Sequence, residues 1–164
     1  MKNLFYILCF LSFFANAQEN VLEKTFSNLI NKTWFAEGNW GDGSKFKQQV
    51  TFSYSLDKTI ILANAKGYTN KEQTKYGNRT HGIRKFNSET NTIEFWEFDV
   101  FGGLTKGNVF LENKNIVYQY LYGKSIVTDM WEYVNDNTYN FIVGNYVNGK
   151  WNQKYLETKF NLVR

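Results

Sequence analysis

The chain has 164 residues, 43% hydrophobic, 21% charged and 19% aromatic, a balance that excludes a disordered or collagen-like chain and leaves room for one domain. It contains no proline, which excludes proline-rich linkers and the proline-bearing signature of zinc deaminases. The formal net charge of +4 is carried by scattered basic residues that nowhere form a long run, so the electrostatic footprint of a nucleic-acid binder is missing.

Met1-Lys2-Asn3 is a short positive start, Leu4 to Phe14 is an apolar run, and Ala15-Asn16-Ala17 sets small residues at −3 and −1 before Gln18. This is the tripartite layout of a cleaved leader, and the apolar run is shorter than the roughly twenty residues a membrane span needs. The expected organisation is a signal peptide over 1–17 and one domain over 18–164, exported to the periplasm or the medium with no membrane span left in the mature chain. Cys9, the sole cysteine, leaves with the leader, so no disulfide, thiolate nucleophile or cysteine metal site is expected. Tyr6-Ile7-Leu8 before it lacks the small residues of a lipoprotein signal.

Val21, Leu22, Phe26, Leu29 and Ile30 recur at three-to-four spacing and predict one short helix. From Thr33 the period switches to two. Phe46, Gln48, Val50, Phe52 and Tyr54 alternate with polar residues, and Leu56-Asp57-Lys58 ends that strand. Thr59 to Tyr68 follows, then a break at Gly77-Asn78 and a strand over Thr80 to Phe86. Further strands are expected over Thr92 to Val100, Leu104 to Leu111, Asn115 to Tyr122, Ser125 to Val134, Thr138 to Val147 and Lys150 to Val163. Asn148-Gly149 between the last two is the preferred sequence of a two-residue type I′ turn, which requires positive φ at both positions. Short connections permit only antiparallel neighbours, and a long twisted meander that is apolar on both faces removes its unpaired edges by closing. The expected fold is therefore all-β: an up-and-down antiparallel barrel of about ten strands with one short N-terminal helix. Eight strands already enclose space for one small ligand, so about ten should leave a cavity unless the helix or the aromatics fill it.

Leu29-Ile30-Asn31-Lys32-Thr33-Trp34 resembles the Leu-x-Gly-x-Trp opening of the lipocalin-like, or calycin, barrels, with Lys32 in place of the glycine. Gly82 to Asn87 followed by Ile93 to Asp99 and Gly102 is similar to the central hairpin of uncharacterised secreted bacterial families of that type. Trp131, Asn148-Gly149-Lys150-Trp151 and the last strand up to Arg164 complete the resemblance. It implies a ligand-binding barrel in which Arg164 packs across Trp34 and closes the base.

Chemistry is sparse. His81 is the only histidine, so no multi-histidine metal site is expected. Haem-binding relatives take their histidine from the C-terminal part of the barrel, where this chain has none, and no cofactor is expected. Glu97 and Asp99 lie two apart on a strand and share a face, about 7 Å apart, a spacing usable for acid–base chemistry if that face lines the lumen. If it faces solvent, Asp99 simply bonds the backbone of the Gly102-Gly103 turn. Tyr118, Tyr120 and Tyr122 form a one-face ladder, and Asp129, Trp131 and Tyr133 share a face on the next strand. Aromatic walls with a few polar tips describe a small-molecule pocket as well as an ordinary core. The leading expectation is a non-enzymatic binding protein for a small apolar or amphipathic molecule, walled by Phe95, Trp96, Tyr118, Tyr120 and Trp131, with His81 and Arg84 orienting polar groups. The alternatives are a lumen hydrolase or isomerase using Glu97 and Asp99, and a carbohydrate or protein module presenting Trp40 and Trp151 on the outer face.

Overall fold

A computed structural model describes residues 21–164. The leader expected over 1–17, with Cys9, lies outside the described residues. Ten strands follow a helix over residues 21–26, α1. They are β1 (Thr33–Asn39), β2 (Lys45–Ser55), β3 (Ile60–Tyr68), β4 (Tyr76–Asn87), β5 (Thr92–Asp99), β6 (Leu104–Glu112), β7 (Asn115–Tyr122), β8 (Ser125–Asn135), β9 (Thr138–Val147) and β10 (Lys150–Leu162). Each strand pairs antiparallel with its chain neighbour, and β1 pairs with β10 to close the barrel. The closing seam is short: Trp34 opposes Leu162, Phe35 opposes Asn161, and one further bridge joins Trp40 to Leu156. Two irregularities in β10, between Trp151 and Gln153 and between Lys154 and Leu156, bend that strand along the seam.

Most connections fall where the period breaks. Asn148 (φ 51°) and Gly149 (φ 77°) make the expected left-handed turn, and Leu56, Asp57 and Lys58 all take positive φ between β2 and β3. The Gly77-Asn78 break is corrected by the structure. Those residues pair with Gly67 and Lys66 inside β4, and the irregularity between Ala65 and Lys66 absorbs Arg79 as the extra residue. The turn instead spans 69–75, where the Asn70 carboxamide accepts from the amides of Thr74 and Lys75.

Helix α1 is shorter than its apolar stripe: Leu29 lies in the turn that follows, and Ile30 bridges to Phe52. Leu22, Phe26 and Leu29 are completely buried. They close one end of the barrel above Trp34, Phe52, Trp131, Tyr139 and Phe160. Within that layer Trp131 stacks on Phe160 at 4.2 Å, and Trp34 meets Tyr139 edge-on at 5.3 Å. The cation over the Trp34 ring is Lys32, at 5.8 Å, and Arg164 is exposed beyond β10. The expected packing of Arg164 across Trp34 is thus corrected: the Val163 amide still bonds the Thr33 carbonyl of β1, but the Arg164 side chain beyond it is exposed and the cation over the indole is Lys32.

Candidate functional site

Alternation along each strand sorts side chains into the lumen or onto the outer face. Between α1 and the opposite end the inward residues become small. Ala63 and Gly82 face each other across β3 and β4, Gly82 pairs onward with Glu97, and Glu97 with Thr105. Ala65 adds to the same gap. The result is a cavity of about 120 Å³ whose walls include Phe52, Phe95, Tyr118, Tyr120, Trp131 and Phe141.

Five polar side chains meet inside it. Arg84 is 4% exposed and donates from Nη2 to Glu97 Oε2 at 2.8 Å and from Nε to the Tyr118 hydroxyl at 3.3 Å. Its guanidinium lies within 6.0 Å of the ring centres of Phe52, Phe95 and Tyr118. Its Nη1 is buried with no hydrogen-bond acceptor among the described residues. That nitrogen occupies the space over Gly82, 1.9 Å from where a β-carbon would stand, so any side chain there would displace the guanidinium. Asp129 accepts a hydrogen bond from the Tyr120 hydroxyl at 3.0 Å.

The enclosure sets the protonation of this group. Burial pushes the Asp129 carboxyl up to about 7; the nearby Glu97 pushes the same way, while the Tyr120 bond and Arg84 work against it. Burial and the adjacent Asp129 raise Tyr120, and burial raises Tyr118 despite Arg84 beside it, so both hydroxyls keep their protons. Burial alone would loosen the proton of Arg84, but Tyr118 and Glu97 outweigh it and hold the guanidinium charged.

The end opposite α1 is framed by the turns after β1, β3 and β5. A second hollow of about 340 Å³ lies there, bordered by Trp40, Tyr68 and Phe101 and by Lys45, Lys47, Lys71 and Arg79. Gln48 borders both spaces, which makes the outer hollow the mouth of the inner chamber. No carboxylate borders the mouth; Glu37 reaches Lys47 from outside at 3.8 Å. Arg79 lies over Phe101 at 5.0 Å and bonds the Tyr68 carbonyl.

Of the residues singled out from the sequence, Arg84, Phe95, Tyr118, Tyr120 and Trp131 border the chamber. His81 and Trp96 do not. His81 is an odd number of residues from Arg84, so it points outward, is exposed, and bonds Asn64 at 2.7 Å. Trp96 follows inward Phe95 and lies outside between Ile83 and Lys106. The proposed carboxylate pair is also split. Glu97 is engaged by Arg84, whereas Asp99 Oδ1 accepts from the amides of Phe101 at 2.7 Å and Gly103 at 2.9 Å and so holds the turn. The carboxyl that shares the chamber with Glu97 is Asp129, which sequence reading had only placed on the face of Trp131. Gln48, Thr80 and Thr105 were missed because isolated polar residues on a strand carry no signal. Trp40 packs edge-on against Phe46 at 5.8 Å, and Trp151 lies on Tyr146 at 4.9 Å. Among the described residues no group of histidine, cysteine or acidic side chains is placed to hold a metal ion, and no helix is long and apolar enough to cross a membrane.

No protein-family model and no curated protein matches the chain. Two solved structures are similar to it in outline. A de novo designed fluorescence-activating β-barrel aligns over 85% of this chain and 98% of its own, with 11% identity and a TM-score of 0.45. The S-type phycobiliprotein lyase CPES of Guillardia theta aligns over 90% of this chain and 94% of its own, with 7% identity and a TM-score of 0.49.

Proposed function

We propose that this protein is an exported, lipocalin-like, non-enzymatic binding protein that holds a small amphipathic ligand in the barrel lumen. The observation that carries this reading is the half-filled lumen: one end is packed solid with aromatic rings, while the other opens through a mouth onto buried polar groups. A chamber walled by rings and set with a few fixed donors and acceptors is how small-molecule sites combine affinity with orientation. Its size narrows the ligand class, since about 120 Å³ is less than the cavity of about 150 Å³ that admits benzene. The occupant is therefore a molecule whose polar head enters the chamber while its remainder lies in the mouth. Export rests on the tripartite leader of residues 1–17.

Native mass spectrometry of the protein from its own host, before and after denaturation, tests the binding reading. A mass excess that disappears on denaturation is expected, and its size identifies the compound. A bare polypeptide mass in both spectra, with no shift on adding one-ring amphiphiles, would overturn it. N-terminal sequencing of the secreted or periplasmic fraction tests the leader: Gln18 at the start is expected, and Met1 at the start would overturn export by cleavage.

A further inference from the structure

We infer that the lumen takes a small aromatic monocarboxylate, its carboxylate seated on Arg84 in the chamber and its ring reaching toward the mouth, and that Asp129 takes up a proton as this anion binds. The inference rests on the lumen being a ligand site and names the chemistry of its occupant.

Three observations carry it. Arg84 has two of its three nitrogens engaged, Nη2 by Glu97 and Nε by Tyr118, and leaves Nη1 buried without an acceptor at the chamber wall. A buried charged donor with no partner is costly, and an oxygen brought by the ligand relieves that cost. The way in is lined by Lys45, Lys47, Lys71 and Arg79 with no carboxylate on its border, a field that draws in anions and repels cations. The remaining wall is Phe52, Phe95, Trp131 and Phe141, and the chamber opens past Gln48 toward the hollow bordered by Trp40, Tyr68 and Phe101, so that the two together have room for one ring.

Charge balance then involves Asp129. Before binding, Arg84 and Glu97 neutralise each other. A carboxylate added to that pair leaves the chamber with surplus negative charge in a low-dielectric enclosure, and the chamber restores balance by protonating a carboxyl. The charged and titratable groups facing Asp129 are Tyr120 and Tyr118 from β7, Glu97 from β5 and Arg84 from β4. On its other side β9 presents only Val143, with Phe141 beside Trp131. Both tyrosines hold their protons and Glu97 is bound to Arg84, so Asp129 is the group that titrates near neutrality.

The test is isothermal titration of the purified protein with benzoate, benzamide and toluene, repeated in buffers of different ionisation enthalpy to count protons. Benzoate is expected to bind at least tenfold more tightly than benzamide and to take up close to one proton at pH 8. Its affinity should fall about tenfold per pH unit from pH 8 to 9. Asp129→Asn is expected to bind benzoate with no proton uptake and a flat pH profile. Arg84→Lys, checked for folding by thermal denaturation, is expected to bind benzoate at least tenfold more weakly. Benzamide or toluene binding as tightly as benzoate would overturn the inference and leave the lumen site standing. So would proton uptake that persists in Asp129→Asn, or benzoate affinity unchanged in Arg84→Lys. If none of the three compounds binds, the inference falls, and native mass spectrometry decides the lumen reading separately.

Discussion

The two halves of the lumen are built by the same ten strands and differ in what the strands point inward. Toward α1 every inward position carries a large ring or branched chain, and Trp131 alone touches Trp34, Phe52, Tyr139, Phe141 and Phe160 at ring separations from 4.2 to 6.4 Å. Toward the mouth Ala63, Ala65 and Gly82 take their place, and the space they release is occupied by the Arg84, Glu97, Tyr118, Tyr120 and Asp129 group. Backbone geometry makes the tube, and side-chain volume decides which part of it is core and which part is site. Stability should accordingly be concentrated in one half and ligand chemistry in the other.

The largest expected effect is therefore at the packed end. Trp131→Ala removes a ring with five aromatic neighbours, and chemical denaturation should show a loss of about 3–5 kcal/mol. Next, Glu97→Gln leaves the guanidinium of Arg84 with a weaker partner. A fully buried pair broken this way costs about 3–5 kcal/mol, but the Glu97 side chain is 29% exposed, so a loss of about 2 kcal/mol is expected by the same measurement.

A pH series separates the halves further. Asp129 binds its proton more tightly folded than unfolded, with a value raised from 3.8 to about 7. The folded state therefore holds more protons between about pH 4 and 7, and this group's contribution to stability declines as pH rises through that window. The difference between wild type and Asp129→Asn, followed by thermal denaturation from pH 4 to 8, should shift in favour of the variant by about 4 kcal/mol. No such trend is expected for Trp131→Ala. The smallest effect belongs to the outer surface. Lys154 and Glu157 are joined at 2.9 Å but largely exposed, and Lys154→Ala should change stability by less than about 0.5 kcal/mol.

Much of the tube was legible in the sequence because strand period and turn chemistry are local properties. Asn148-Gly149 and the run Leu56-Asp57-Lys58 marked turns by their backbone demands, and the ten strands followed. Gly77-Asn78 misled for an instructive reason: a Gly-Asn dipeptide looks like a turn, yet it pairs with Gly67 and Lys66 and the added residue at Arg79 makes a bulge within a continuous strand. The site was only half legible. Period two divides a strand into two faces without saying which is inside, and with aromatics on both faces of β5 nothing local distinguishes Phe95 from Trp96. One fixed point settles the rest: once Arg84 is inward, register places His81 outside and Glu97 inside. Asp129 became important only through partners on three other strands, a relation no local pattern carries.

Gly82 also bears on how such a barrel can diverge. Because the Arg84 guanidinium fills the place of the missing side chain, positions 82 and 84 constitute a single unit of inheritance. A descendant that acquires even a methyl group at 82 must move or lose its buried cation, and with it the partner of Glu97. Relatives with glycine at the first position and arginine at the second should share the ligand class of this protein.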